Sequence, residues 1–272
     1  MRSFAIVFGL LLMAVALRTA RRAWVRKIGA LVFLIASFAT FYLISGRIWI
    51  GLIGVILWFF LPWVELLTRV KRMKLPMENR LLHGVMPNAS FFPNAQLAYE
   101  TMEEQGFTHA SDCSWNWSGM KQHYRLYYHL ESRTIAALCL CEQADVAFSF
   151  ISVSVVGEDG SIWRTTNYPF APTLKYPEHV HWNHVPCTRS CFKQIWENHR
   201  DYLSKSSLPV QSLAEFDPYH LDEMLEGEMD EMIAYNLDQG IIEFAGEGHF
   251  GYSTRGLFYL WGQFIKDMVR LC

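Results

Sequence analysis

Acidic side chains are scarce in the first 80 residues, which contain only Glu65 and Glu78 against 12 Lys or Arg. The remaining 192 residues reverse this balance, with 24 acidic and 12 basic side chains. A basic region is therefore followed by an acidic one. Binding to nucleic acid requires a basic surface that neutralises phosphates, and the acidic second part lacks that surplus. We therefore expect no nucleic-acid partner.

Charge is also nearly missing from residues 28–67, where two apolar runs are separated at Gly46 and Arg47. At ~1.5 Å per residue, each run approaches the ~30 Å of a bilayer's hydrocarbon core. We predict transmembrane helices over about residues 28–45 and 48–67. The single acid, Glu65, lies near the end of the second run. Neither run has a charge at its centre of the kind that marks an ion pathway, which argues against a channel or transporter.

A third apolar run occupies about residues 3–18 and is short enough to be either a span or the core of a cleaved signal peptide. A basic block follows this run and consists of Arg18, Arg21, Arg22, Arg26 and Lys27. The block favours a short span over a cleaved signal, because such charges resist translocation. With two or three spans, both basic loops lie in the cytoplasm. We therefore predict a multi-pass protein of the cell membrane, with residues 1–74 as its transmembrane region. A cleaved signal would invert this topology.

Strand patterns dominate the chain after a proline-bearing linker at residues 75–93. Segments rich in β-branched and aromatic residues, joined by short polar breaks, predict an antiparallel meander over residues 123–130, 134–142, 146–156 and 161–168, with 107–117 as a further edge strand. Capping residues and helical spacing predict helices over about residues 94–105, 188–204, 218–240 and 255–271. We predict an α+β fold, with a cytosolic domain of residues 94–272 and a sheet of four or five strands. For the last helix, packing on the sheet, lying in the membrane interface and pairing with another subunit all stay open.

Several motifs of enzymes are missing from the chain. It contains no Walker A loop, no G-x-S-x-G elbow and no kinase signature. Residues 246–251 match G-x-G-x-x-G, but too few residues follow to complete a Rossmann unit, so we interpret them as a turn. All six cysteines lie after residue 112, and a cytosolic domain would keep them reduced. No pattern brings a histidine to Cys113, and we assign no catalytic residue.

Metal-ligand side chains are densest at residues 178–191. A zinc ion could be held there by His181, His184, Cys187 and Cys191, with Glu178 nearby as a base. The segment contains neither a C-x-x-C pair nor an H-E-x-x-H helix. We therefore expect that the protein holds no cofactor. If it does hold one, these residues indicate a zinc ion.

Acidic side chains cluster in the helix predicted at residues 218–240. Most such runs are solvated helix faces. The alternative is a docking surface for a basic partner, formed by Glu223, Glu226, Glu228 and Asp230.

The leading hypothesis for function is non-enzymatic, a membrane-tethered binding or scaffold module whose partners are the bilayer and a protein or a second copy. The alternative is a membrane-anchored zinc-dependent hydrolase using residues 178–191. A third hypothesis, an accessory subunit of a transport or envelope complex, is supported by the predicted spans alone.

The zinc hypothesis predicts about one zinc per chain in a purified fragment of residues 76–272 prepared without metal resins. His184→Ala and Cys187→Ala should each abolish that content, because each removes one ligand. Metal analysis of the three proteins measures it. A folded fragment without metal would contradict the hypothesis.

Overall fold

The computed structural model of the chain describes residues 2–20, 22–78, 80–84, 86–88, 91–92, 94–117, 120–143, 146–186, 191–206 and 208–270. The chain divides into two units. One comprises Met1–Arg72 with Leu257–Cys272, and the other comprises Met73–Gly256. Apolar helices near the N-terminus and a sheet-rich second unit confirm the α+β class.

Three helices begin the first unit: α1 (Arg2–Arg18), α2 (Ala23–Ser45) and α3 (Ile48–Thr68). The segments Trp24–Ser45 and Ile48–Arg72 are long and apolar enough to cross a membrane, and Ala5–Arg18 is a shorter apolar helix. We refer to α2 and α3 together as the apolar hairpin. Its position agrees with the two runs predicted from the sequence.

Close contacts hold the apolar hairpin together. A Cβ at Gly54 would lie 2.3 Å from the ring of Phe41, so only glycine lets the two helices approach this closely. Small residues are the usual means of close helix packing where lipid surrounds the helices. Four residues further along α3, the Trp58 indole nitrogen donates a hydrogen bond to Ser37 Oγ at 2.7 Å. These contacts fix how α3 is rotated against α2.

The last helix, α7 (Thr254–Arg270), belongs to the first unit from Leu257 onwards. The Trp261 indole nitrogen donates to the backbone oxygen of Phe59 at 2.6 Å. Phe258 packs edge-on against Trp63, with ring centroids 4.9 Å apart. The apolar side of α7 therefore packs on α3, which accounts for an apolar surface wider than a solvated helix needs.

The second unit contains two sheets, with strands numbered in chain order. The strands of the larger sheet are β2 (Leu82–His83), β3 (Thr108–Trp117), β4 (Met120–His129), β5 (Thr134–Gln143), β6 (Val146–Val156), β7 (Ile162–Thr166) and β8 (Val180–His184). They lie in the order β2-β3-β4-β5-β6-β7-β8, and every pair is antiparallel except β7 with β8. The smaller sheet has the order β1-β10-β9, from β1 (Leu75–Pro76), β10 (His249–Tyr252) and β9 (Ile242–Gly246).

The five strands β3 to β7 form the predicted meander, but the predicted total of four or five antiparallel strands is wrong. β8 lies between the last predicted strand and the helix predicted from residue 188, where no strand is predicted, and it pairs with β7 in parallel. β1 and β2 lie within the predicted linker and pair with β10 and β3. These strands have two to five residues, so their sequences contain too little alternation to signal a strand. Backbone hydrogen bonds to the neighbouring strands hold these short segments in the extended conformation.

Helices cover both faces of the large sheet. On one face α4 (Ala95–Glu104) and α5 (Phe192–Lys205) bury a core that includes Met102, Tyr127, Phe192 and Ile195. On the other face lies α6 (Leu221–Asp238), which follows a 3₁₀ turn, Pro218–His220. Asp217, directly before Pro218, caps that turn by accepting a hydrogen bond from the backbone nitrogen of Tyr219, as expected of an aspartate at an N-cap. The sheet is thus the middle layer of three.

The G-x-G-x-x-G segment forms the turn between β9 and β10, which pair antiparallel. A dinucleotide fingerprint would require a strand followed directly by a helix. The structure therefore agrees with the interpretation as a turn.

Candidate ligand-binding site

Small side chains form a row across the middle of the sheet face that α6 covers. Strand register aligns Leu126 with Ala137, Ala137 with Ser152, and Ser152 with Thr166. The rows on either side combine larger side chains with two small ones. The larger ones include Tyr124, Phe150, Ile135 and Arg164, and the small ones are Cys139 and Ser154. Three short side chains in succession leave a depression in the sheet surface.

A partly open cavity of about 240 Å³ occupies this depression. Its opposite wall is the underside of α6, with the side chains Leu221, Met224, Leu225, Met229, Met232 and Ile233. Its volume is far above the ~30 Å³ that one water molecule occupies in the liquid. Concave, mainly apolar spaces with a few converging polar groups are the usual form of small-molecule sites. Methionine adds adaptability, because its flexible thioether packs against differently shaped partners.

An ion pair lies at one side of the cavity. Arg164, on β7, donates from Nη2 to Oε2 of Glu228, on α6, at 2.5 Å, and the two side chains are only 13% and 12% exposed. Burial by itself lowers the pKa of Arg164, but the adjacent Glu228 more than offsets this and leaves that pKa raised. The guanidinium therefore stays charged. The pair joins α6 to the sheet.

Three buried polar atoms around this ion pair have no hydrogen-bond partner among the described residues: Arg164 Nε, Trp182 Nε1 and Glu228 Oε1. Arg164 lies over the Trp182 ring, with Cζ 5.7 Å from its centroid, and both residues line the cavity. Leaving a buried donor or acceptor unpaired costs about 1–3 kcal/mol, more for charged groups. Native proteins rarely accept that cost without a ligand, ion or ordered water to satisfy the group.

The structure places the three described members of the predicted zinc set in separate surroundings. His181 and His184 are three positions apart on β8, so their side chains leave opposite faces of the strand. The His181 ring packs on Trp163, and His184 Nε2 lies 2.8 Å from the backbone oxygen of Tyr168. Cys191 is the N-cap of α5.

Among the described residues, no group of three His, Cys, Asp or Glu side chains is close enough to hold a metal. Glu178 is exposed at the turn before β8. Cys187 lies outside the described residues, so the zinc site stays a prediction.

The four predicted docking acids divide into two pairs. Glu228 is held by Arg164, and Glu226 accepts a hydrogen bond from the backbone nitrogen of Leu81. Glu223 and Asp230 are exposed, although Glu223 Oε1 lies 3.0 Å from Nδ1 of His220. Half of the acidic run therefore serves contacts within the chain, and its docking role stays a prediction.

A histidine that sequence analysis did not connect to Cys113 lies beside it. His83 pairs with Cys113 across β2 and β3, and His83 Nε2 lies 3.0 Å from Oδ2 of Asp222. Burial, followed by the nearby carboxylates, raises the pKa of Cys113 to about 12. The thiol is therefore protonated at neutral pH, whereas a nucleophilic cysteine requires the thiolate.

Comparison with known proteins adds no further assignment. The chain matches no protein-family description, no curated protein and no solved structure.

The ion pair predicts different effects for single and double substitutions. Glu228→Leu should destabilise the sheet-containing unit by about 3–5 kcal/mol, because it leaves a buried guanidinium unpaired. Arg164→Met combined with Glu228→Leu should restore most of that loss, because apolar side chains of similar size replace both charges. Chemical unfolding of the full chain, followed by β-sheet circular dichroism, measures both. Equal losses in the two variants would show that the charges are not coupled.

Proposed function

We propose that this chain is a membrane-tethered binding module whose cavity takes up a small, mainly apolar molecule. The observation that carries the proposal is the row of small side chains, Ala137 to Thr166, lying opposite the methionines of α6. Larger apolar residues at these positions would fill the space and add burial. Retaining a cavity in the centre of a packed layer favours a role in binding.

The chemical groups on the cavity wall also fit binding better than catalysis. Burial raises the pKa of the Cys139 thiol well above its usual value, so this wall residue carries no nucleophilic thiolate. Arg164 is already paired with Glu228. These groups are suited to shaping and orienting a ligand.

The apolar hairpin is the tether in this proposal. Basic side chains stand on both sides of it, with Arg26 and Lys27 near the start of α2 and Arg69, Lys71 and Arg72 after α3. Cytoplasmic loops carry such an excess of basic residues, and this supports a cytoplasmic location for both ends of the hairpin and for the sheet-containing unit. With α1 as a further short span, the protein is multi-pass in the cell membrane. The bilayer then concentrates apolar molecules near the domain.

Filling the cavity should weaken binding without unfolding the protein. Ala137→Leu should lower labelling of α6 by an alkyl diazirine about tenfold, because leucine displaces about two ligand methylenes worth about 0.8 kcal/mol each. The full chain in lipid nanodiscs is photolysed with the probe, and mass spectrometry gives the ratio of labelling in α6 to labelling in the apolar hairpin. This ratio corrects for the probe's partition into lipid.

The matched control is Ala147→Leu, since Ala147 is an exposed alanine of β6 outside the cavity. It should leave the labelling ratio unchanged. If the folded Ala137→Leu variant gave the same labelling ratio as the parent chain, that result would contradict the binding proposal.

The proposed topology predicts opposite accessibility of two engineered cysteines. Arg47→Cys, between α2 and α3, should react with a membrane-impermeant maleimide in intact cells. Glu158→Cys, at an exposed turn of the sheet-containing unit, should react only after permeabilisation. The parent chain, with its native cysteines, supplies the background. The reverse pattern would show that the domain lies outside the cell.

A further inference from the structure

We infer that α7 is an interfacial helix, which lies in the cytoplasmic leaflet of the bilayer and contacts phospholipid along its exposed side. It is a second anchor beside the apolar hairpin. This inference rests on the membrane location in the proposed function, and it is independent of the ligand in the cavity.

Contacts with α3 set the level of α7 relative to the span. The ring centroids of Phe258 and Trp63 lie 4.9 Å apart, and Trp63 is five residues before Thr68, the last residue of α3. At ~1.5 Å per residue, this contact lies ~8 Å inside the end of the helix. Interfacial helices bury their apolar face ~5–10 Å into the boundary between head groups and acyl chains. The contact between α7 and α3 is therefore at the depth of an interfacial helix.

A hydrogen bond joins α7 to α3 at a level where α3 lacks a backbone donor. Pro62 lies inside α3 and has no N–H group, so this part of the helix has one donor fewer than its carbonyl groups need. Inside a bilayer no water satisfies such carbonyls, and side chains of neighbouring helices do so instead. The Trp261 indole nitrogen donates to the backbone oxygen of Phe59 at 2.6 Å. An added donor at this level is worth most in lipid, which favours a membrane location for α7.

The exposed side of α7 adjoins the exposed apolar surface of α3. Phe258 is 57% exposed, and Phe60 and Val64, one turn apart on α3, are 52% and 64% exposed. Phe60 also stacks on Trp261, with ring centroids 6.2 Å apart, so the two surfaces are neighbours. In the proposed tether, Phe60 and Val64 face acyl chains. Phe258 then meets the same lipid, because a large apolar side chain at the bilayer boundary gains by burial there.

The distribution of charge along α7 agrees with this location. Residues 257–265 carry no charge, whereas Lys266 and Asp267 lie in the last turns of the helix. At this charged end, Arg18 Nη2 donates to the backbone oxygen of Met268 at 3.3 Å. Arg18 is the last residue of α1, and basic side chains at the end of a span extend towards the head groups. The uncharged part of α7 therefore lies beside α3, and its charged end lies at the basic end of α1.

Replacing Phe258 with p-benzoylphenylalanine identifies what covers this position, because the photoactivated ketone inserts into nearby C–H bonds. The full chain is reconstituted in liposomes of phosphatidylcholine and phosphatidylglycerol and photolysed. Intact-mass spectrometry then gives the fraction of chains that gain the mass of one phospholipid. We expect about tenfold more lipid adduct at position 258 than at a control position outside the membrane, because the apolar face of an interfacial helix lies among acyl chains.

The matched control is the same replacement of Tyr219, an aromatic residue that is 80% exposed in the sheet-containing unit. Tyr219 precedes α6, whereas Ile241 follows the other end of α6 and accepts from the backbone nitrogen of Ser253, next to α7. The 18 residues of α6 separate these two ends by ~27 Å. The control position is therefore far from the start of α7. A thermal melt of each variant confirms that it is folded.

A third replacement, at Ile53 on α3, separates this inference from the proposed function, because Ile53 is 52% exposed within the apolar hairpin. Lipid adducts at positions 53 and 258, with little at 219, would support the inference. Adducts at 53 but not at 258, equal yields at 258 and 219, or a cross-linked dimer in place of lipid at 258 would overturn it while the tether stands. No adduct at 53 would overturn the tether, and the inference with it. The effect of Ala137→Leu tests binding in the cavity separately.

Discussion

The buried ion pair between Arg164 and Glu228 is the constraint on which the α6 side of the sheet depends. A guanidinium directed into a packed layer must meet an anion, since removing a charge from water without a partner costs several kcal/mol. Glu228 supplies that anion and thereby sets the rotation of α6. Residues one turn before and after it, Met224 and Met232, then lie on the same side of the helix. The methionine wall of the cavity follows from the position of a single carboxylate.

The cavity results from a mismatch between the distance that separates α6 from the sheet and the length of the side chains between them. The ion pair and the large flanking side chains hold α6 at one distance from the sheet, while Ala137 and Ser152 are too short to reach it. A layer selected for stability alone would place leucine or isoleucine there, because a cavity forfeits dispersion contacts and apolar burial. The same face retains unpaired polar atoms at Arg164 and Trp182. Both departures from good packing lie on the same face of the sheet, which supports the proposed binding role.

Local patterns in the sequence predict the elements that depend on neighbouring residues. The apolar hairpin, the meander from β3 to β7 and the cap at Asp217 all follow from periodicity or capping chemistry. The cavity could not be predicted in this way, because its row of small side chains appears only when three strands are aligned, and the neighbouring ion pair joins residues 64 positions apart. One signal was present in β6, where Ser152 and Ser154 alternate with the buried Ile151, Val153 and Val155. Alternation of serine with large apolar residues indicates two unlike faces, but it cannot show that a helix covers the serines.

The surplus of acidic side chains after residue 80 explains why the proposed binding module needs a tether. In the proposed orientation the domain faces the cytoplasmic leaflet, whose anionic lipids give it a negative surface potential. Residues 81–272 carry 24 acidic and 12 basic side chains, so the domain and the leaflet repel each other. Acids such as Glu223 and Asp230 remain exposed and contribute to this repulsion. In the proposed function, a cavity for apolar molecules would gain from proximity to the bilayer, yet surface charge opposes that proximity. The proposed tether, the apolar hairpin, would supply it through hydrophobic burial, which screening and charge do not weaken.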